Sequence, residues 1–452
     1  MSTKTQSSLD ELRLAIHGVT APFSCAGTVT PKSPVTFVFR DGFRFAVNRA
    51  MNAFAQKAEL EPLLKRCRPA SFGDGKKTRY DPTVRDALQL NAEGGDFTIE
   101  GFDPESAGIL KKVQRQLLPQ DTNPLTADLY SVNVYVDGGH FAPHKDTPRG
   151  SDMVGSLVVC LPSQFNSGQF ILSHRGIVVE HDWGAAIKGQ KSPAQLHWAA
   201  LFGDVNHQVE RVWGGARVTL AYLLRRGSGG LPAPSPGGEL EPRTRRAWEV
   251  LLADEEFLPK GGVLGYPCCH LYHQDARFQA KPVDINEESA AMLKGRDQLT
   301  ARSALAAGLS ASFVPYLFEN ECDETWQLER FPTSKEKSKL RRQVEQADID
   351  RALPVRAHGE DGANFGVTWL EKRPSGASGD PDLPAAAPFH SCEYCPWGYF
   401  GNEAGDANFY TFAALHINIP QFGQGTRRGA GQSGDAVPSR GRAVRKGKPE
   451  KK

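Results

Sequence analysis

The sequence predicts an α+β protein with a jelly-roll or barrel-like β core, helices flanking it, and an additional mixed α/β region toward the C-terminus. Three observations lead there. Between residues 130 and 224, seven short β-rich runs follow one another: "YSVNVYV", "VGSLVVCL", "GQFILSH", "GIVVEHDW", "QLHWAALF", "HQVERV" and "ARVTLAYLL". Turn signals such as "DGG", "FNSG", "HRG" and "VWGG" separate most of them, with no helical pattern between, which argues for a sandwich or barrel. On either side the texture changes to helical patterns and Gly/Pro-rich breaks.

The start, "MSTKTQSSLDELRLAIHGV", reads as a capped amphipathic helix. Ser8 and Glu11 fit a capping box, and Leu9, Leu12 and Ile16 fall on one face. It lacks the apolar core of a secretory signal, so the expected compartment is reducing, cytoplasmic or nuclear. The eight cysteines then read as thiols or metal ligands, not as a disulfide framework. "VTFVFRDGFRFAV" (35–47) alternates around Asp41-Gly42 and predicts a hairpin. "MNAFAQKAELEPLLKRC" and "DPESAGILKKVQRQLLP" predict helices, the second with Pro104 near its first turn.

With 452 residues the chain is long enough for two or three domains. Hydrophobic residues at 39% and charged residues at 23% describe a soluble globular protein, and no run of 18 apolar residues offers a helical membrane span. Gly/Pro-rich stretches at 225–243 and 373–389 mark breaks. The expected organisation is a supporting α/β region at 1–125, the β core at 126–226, a mixed region of unknown role at 244–420, and a basic tail at 421–452. That tail carries nine Lys/Arg against two acids, so the overall charge of +2 leaves about −5 for residues 1–420. Its composition cannot bury enough apolar surface to fold, and it reads as a solvated tail. Import or weak polyanion contact is the functional alternative.

Chemistry concentrates in "GGHFAPHKDTPRG" (138–150). His144 and Asp146 stand two apart, and residues i and i+2 of an extended segment point the same way. His207 begins a later strand pattern, "HQVERV". Two histidines and a carboxylate are the ligand types of a facial triad, which holds iron(II) on one side and leaves three positions open. Arg217 follows ten residues on. Its guanidinium can bind the far carboxylate of a keto-acid cosubstrate in two-pronged fashion, and Thr219 on the same face can add a hydroxyl.

The combination "YxxGGxFxPHxD … H … RVTLxY" resembles the iron(II)/2-oxoglutarate dioxygenases, in their prolyl-4-hydroxylase-like branch, over about residues 125–226. "PASFGDG" (69–75), "LKGRD" (293–297) and "GYFGNEAGDANFYTFAALHINIP" (398–420) are similar to a group of large fungal proteins containing this domain. The resemblance implies a double-stranded β-helix, the jelly-roll variant of that family, flanked by helices. It implies Fe(II) on His144, Asp146 and His207, and 2-oxoglutarate held by Arg217 with Thr219. Tyr135 would line the cosubstrate pocket, and L-ascorbate is a candidate reductant. O2 would be the further cosubstrate, succinate and CO2 the products, and a peptidyl side chain or small metabolite the substrate. Asp146 argues against a halogenase, in which that acid is typically replaced.

Duller readings stand beside these. His144 and Asp146 are also what a satisfied loop pair looks like, with His207 merely half buried. A tyrosine in a strand, such as Tyr135, is usually core. His140 suits a role supporting a ligand or facing substrate as well as it suits a plain surface histidine. His174, His181 and His197 lack sequence partners and read as structural. "GYPCCHLYH" (Cys268, Cys269, His270, His273) and "HSCEYCPW" (Cys392, Cys395) contain the residue types of a zinc site, but their irregular spacing favours free thiols. Two further function classes remain: a scaffold that retains an iron site, and an oxidative demethylase of nucleic acid, which rests on the basic tail alone.

Overall fold

The computed structural model describes residues 2–18, 22–47, 53–74, 77–147, 149–150, 152–189, 195–228, 242–272, 283–319, 325–331, 336, 355–359, 365–371, 391–396 and 406–427. Most of the 225–243 break, the 373–389 break and residues 428–452 lie outside them. The chain is a mixture of helix and largely antiparallel sheet. Each of the seven β-rich runs contains a strand.

These strands divide between two sheets. One has seven strands in the order Ser24–Val29, Leu196–Phe202, Met153–Cys160, Arg217–Arg226, Leu125–Tyr135, Leu88–Asn91 and Arg68–Pro69, all antiparallel. The other has five, in the order Ile177–His181, Phe170–His174, Asn206–Val209, His140–His144 and Arg85–Asp86. Strand alternation turns Tyr135, Cys160, Arg217 and Thr219 of the first sheet toward the face of the second that carries Phe170, Leu172 and Val209, while Val132, Val134, Leu157 and Val159 are buried on the first sheet's opposite face. Fully burying one such side chain contributes roughly 1.5–3 kcal/mol. The site lies between the two sheets, with His144 and His207 on the five-stranded one and Arg217 and Thr219 on the seven-stranded one.

A second core gathers the C-terminal elements around the sheet that contains Gly262–Pro267, Ser310–Glu319 and Asp406–Ile419. The first helix belongs to it. Leu9, Leu12, Ala15 and Ile16 pack in one cluster with Trp248 and Leu251 of the helix Pro242–Ala253, and the Thr5 hydroxyl donates to Asp254 at 2.7 Å.

The local expectations fare unevenly. The hairpin forms between Thr36–Phe39 and Arg44–Ala46, with Gly42 at φ +83° in the turn. A helix Trp183–Gly189 interrupts the run of strands where only turns were expected. The first helix begins at Thr3, so Ser8 is inside it and bonds back to the Lys4 carbonyl instead of capping. The helix expected from Pro104 begins at Ile109, because Gly108 at φ +72° breaks the turn before it. Packed chain also runs on past residue 420. Arg427 is buried and donates to the carbonyls of Leu252, Asp254, Leu258 and Pro420. No helix among the described residues is long and apolar enough to cross a membrane.

Candidate metal centre

His144 ends the strand His140–His144, and its direct cross-strand partner is His207 on Asn206–Val209. Pairing across an antiparallel ladder brings the two rings together, with centroids 4.1 Å apart. Asp146 follows two residues past the end of the strand. One ligand atom from each of His144, Asp146 and His207 lies within 4.8 Å of the others.

The lone pairs point the right way. His144 Nδ1 lies 2.8 Å from the Ala142 carbonyl and His207 Nδ1 lies 3.0 Å from that of Val205. A carbonyl only accepts, so each Nδ1 carries the proton and each Nε2 keeps a free lone pair. Burial, with His207 beside it, drives the His144 pKa down to about 2, so its ring is neutral at physiological pH. The Ser156 hydroxyl donates to Asp146 Oδ2 at 2.6 Å and orients the carboxylate, whose Oδ1 lies 3.7 Å from His207 Nε2. Phe141 stacks on the His144 ring, with centroids 3.4 Å apart, and closes one side.

Arg217 sits opposite Tyr135 in the neighbouring sheet and is only 1% exposed. Its guanidinium lies 5.2 Å from the Trp183 ring, 5.4 Å from Tyr135 and 5.7 Å from Phe170. Phe170 also touches His207, at 5.9 Å between centroids, so this aromatic cage adjoins the ligand group. Nε and Nη2 are buried with no hydrogen-bond partner, and burial lowers the guanidinium pKa. A buried charge left in this state costs several kcal/mol, which an anionic ligand would offset. Thr219, two residues on and buried on the same face, has its hydroxyl 3.5 Å from the Asn133 carbonyl. Tyr135 walls the cage through its ring.

No protein-family model matches the sequence, and no curated protein matches it. Among solved structures, the chain is similar to a Pseudomonas putida prolyl-4-hydroxylase at 16% identity, over 50% of this chain and 100% of that one, with a TM-score of 0.26. An oxidoreductase of the 2OG-Fe(II) oxygenase family from Burkholderia pseudomallei matches at 16% identity, over 51% and 94%, with a TM-score of 0.24. A Trichoplax adhaerens prolyl hydroxylase, solved in complex with a hypoxia inducible factor peptide fragment, matches at 14% identity, over 50% and 94%, with a TM-score of 0.28. At these identities and TM-scores none of the likenesses adds to what the side chains show.

Other histidines and cysteines stand apart from this group. His140 is held by the carbonyls of Thr83 and Gly138 and, among the described residues, joins no ligand group. His181 stacks on Trp183 with a buried, unpartnered Nε2. His197 is half-buried at the end of its cross-strand pairing with Cys160. Among the described residues Cys268 and Cys269 enter no metal-ligand group. Both are free thiols whose pKa burial raises, and Cys269 Sγ accepts from Arg175 at 2.8 Å. His273 lies outside the described residues, as do the side chains of Cys392 and Cys395.

Several contributors were missed from sequence. Ser156, Phe170 and Trp183 sit inside ordinary strand or turn patterns, with no local signal to mark them. His174 was read as structural, yet it forms a second His–Asp–His group with Asp204 and His270. Its rings argue against a metal there. His174 and His270 stack at 13° between planes, so their in-plane lone pairs do not converge on one point. Both Asp204 oxygens are already engaged, Oδ1 by the Lys294 ammonium at 3.1 Å and Oδ2 by His270 Nδ1 at 2.9 Å. Lys294 supplies the positive charge a metal would bring.

Proposed function

We propose that the chain is an Fe(II)- and 2-oxoglutarate-dependent dioxygenase that hydroxylates a peptidyl side chain, as a prolyl hydroxylase does, or a small metabolite. In this reading its two sheets are the halves of a double-stranded β-helix. One observation carries the proposal: a three-ligand group with free lone pairs adjoins a buried guanidinium that no acid among the described residues pairs. Neither half alone would suffice. A metal group without the arginine suits many hydrolases, and a caged arginine without the metal group suits any carboxylate-binding protein.

His144, Asp146 and His207 would hold the iron, a donor set of imidazole and carboxylate that suits a non-haem iron(II) centre. Bound iron with 2-oxoglutarate and O2 supplies oxidative decarboxylation to succinate and CO2 and the oxidation of a substrate C–H bond. The chain's own part is positioning. Arg217 receives the far carboxylate, Thr219 lies beside it, and Tyr135, Phe170 and Trp183 keep water from that end. Ser156 and the carbonyls of Ala142 and Val205 fix the three ligands in orientation.

The test is Fe(II)-dependent formation of succinate from 2-oxoglutarate, measured alone and with peptide libraries or fractionated lysate. Wild type should turn over, while His144→Ala, Asp146→Ala and His207→Ala should each fall to background yet keep the far-UV spectrum of the folded chain. Unchanged turnover in all three variants would remove these residues from the site.

A further inference from the structure

Asp204 occupies the turn between Leu196–Phe202 and Asn206–Val209, three residues before His207. It is 5% exposed, and the donors that satisfy it come from the C-terminal region. Lys294 Nζ reaches Oδ1 at 3.1 Å, while His270 Nδ1 and the Leu271 amide reach Oδ2 at 2.9 and 3.0 Å. These donors are themselves fixed. Asp297, in the first turn of the helix Gly295–Ala306, accepts from the amides of Cys269 and His270 and from the Tyr272 hydroxyl. That hydroxyl in turn accepts from the Lys294 amide at 2.9 Å, and Lys294 Nζ also bonds the Leu271 carbonyl.

The other side of the same turn bears on two of the three ligands. Val205, next to Asp204, provides the carbonyl that orients the His207 ring. Gly203, on the other side of Asp204, lies so close to Asp146 that a Cβ on it would sit 4.0 Å from the Asp146 Cβ. A buried charge fixed by three donors resists displacement, because leaving it unpaired costs far more than an ordinary contact. The turn therefore has its place set from the C-terminal region and passes that placement to His207 and Asp146.

We propose that Lys294 and His270 are positioning residues for the metal centre, acting through Asp204, so that the C-terminal region completes the catalytic unit. This rests on the metal-centre reading above. Supporting partners of metal ligands typically alter affinity about 10–100-fold when removed. Lys294→Met keeps the length of the side chain but removes its charge, leaving the Asp204 carboxylate without its cation.

The experiment titrates Co(II) alone into the full chain under anaerobic conditions, recording affinity and the visible ligand-field bands. Lys294→Met should bind Co(II) roughly tenfold or more weakly and with shifted bands, at a temperature where it is fully folded. Lys294→Arg should fall between it and wild type. Arg427→Met serves as the control, because it loosens the same region without touching the turn; it should lower the melting temperature and leave both Co(II) readouts unchanged. If Lys294→Met does not fold, Lys294→Arg is read in its place against the same control. Wild-type affinity and bands in the folded Lys294 variant would overturn the proposal, as would a shift of equal size in Arg427→Met. Failure of wild type to bind Co(II) would bring down the metal reading itself, an outcome visible before any variant is compared.

Discussion

Among the described residues none offers Arg217 an acid: three aromatic rings enclose it, and Nε and Nη2 are buried without a hydrogen-bond partner. If the far carboxylate of 2-oxoglutarate belongs there, Arg217→Ala should leave Fe(II) binding near normal. Its demand for 2-oxoglutarate should rise by about 2–5 kcal/mol in binding, roughly thirtyfold to several thousandfold. Arg217→Lys should recover part of this, since charge is kept and the two-pronged geometry is not. Superimposable 2-oxoglutarate titrations of wild type and Arg217→Ala would take the arginine out of the site. Ser156 invites a smaller test. Ser156→Ala removes the donor that orients Asp146, and metal affinity should fall about 10–100-fold with little loss of stability, checked by metal titration beside thermal unfolding.

At the scale of the element, the site depends on strands whose spacing tolerates little. Gly155 lies next to Ser156 on Met153–Cys160, and a Cβ there would come within 2.0 Å of the Leu201 carbonyl of the neighbouring strand. The carbonyl is backbone and cannot swing away, so Gly155→Ala should destabilise the fold by about 1–3 kcal/mol, read by urea unfolding. Unaltered stability would contradict this close approach of the two strands. The strands were legible in sequence because alternation and Gly-rich turns are local, and so was the spacing of His144 and Asp146. The helix Trp183–Gly189 was not, since seven residues are too few to show a period. The cap at Ser8 was misplaced because the helix gains its stability from Leu9, Leu12 and Ile16 against the second core, which rewards an earlier start.

Across the whole molecule, the decisive contacts are long-range, and although "LKGRD" and "GYPCCHLYH" stood out locally, no local pattern names their partners. Asp204 meets His270 and Lys294 from 66 and 90 residues away. Arg427 looked like the start of a basic tail and instead crosses back over 175 residues to the Leu252 carbonyl. Removing residues 428–452 should therefore leave stability and 2-oxoglutarate turnover as in wild type. Removing 421–452 also takes the Arg427 bonds, each worth about 1.5–3 kcal/mol when made to a charged group. With water replacing part of the loss, the longer truncation should cost on the order of 3 kcal/mol, seen as a lower denaturation midpoint. Equal midpoints for the two truncations would show that Arg427 contributes nothing.

The claim on which the rest depends is that His144, Asp146 and His207 hold iron(II) with open positions beside the Arg217 cage. Anaerobic addition of Fe(II) and then 2-oxoglutarate to the full chain tests it directly, because a keto acid chelating iron(II) gives a visible metal-to-ligand charge-transfer band. Wild type should develop that band saturably with 2-oxoglutarate, and His207→Ala should not. No band in wild type, under conditions that keep iron in solution, or an equal band in His207→Ala, would contradict it.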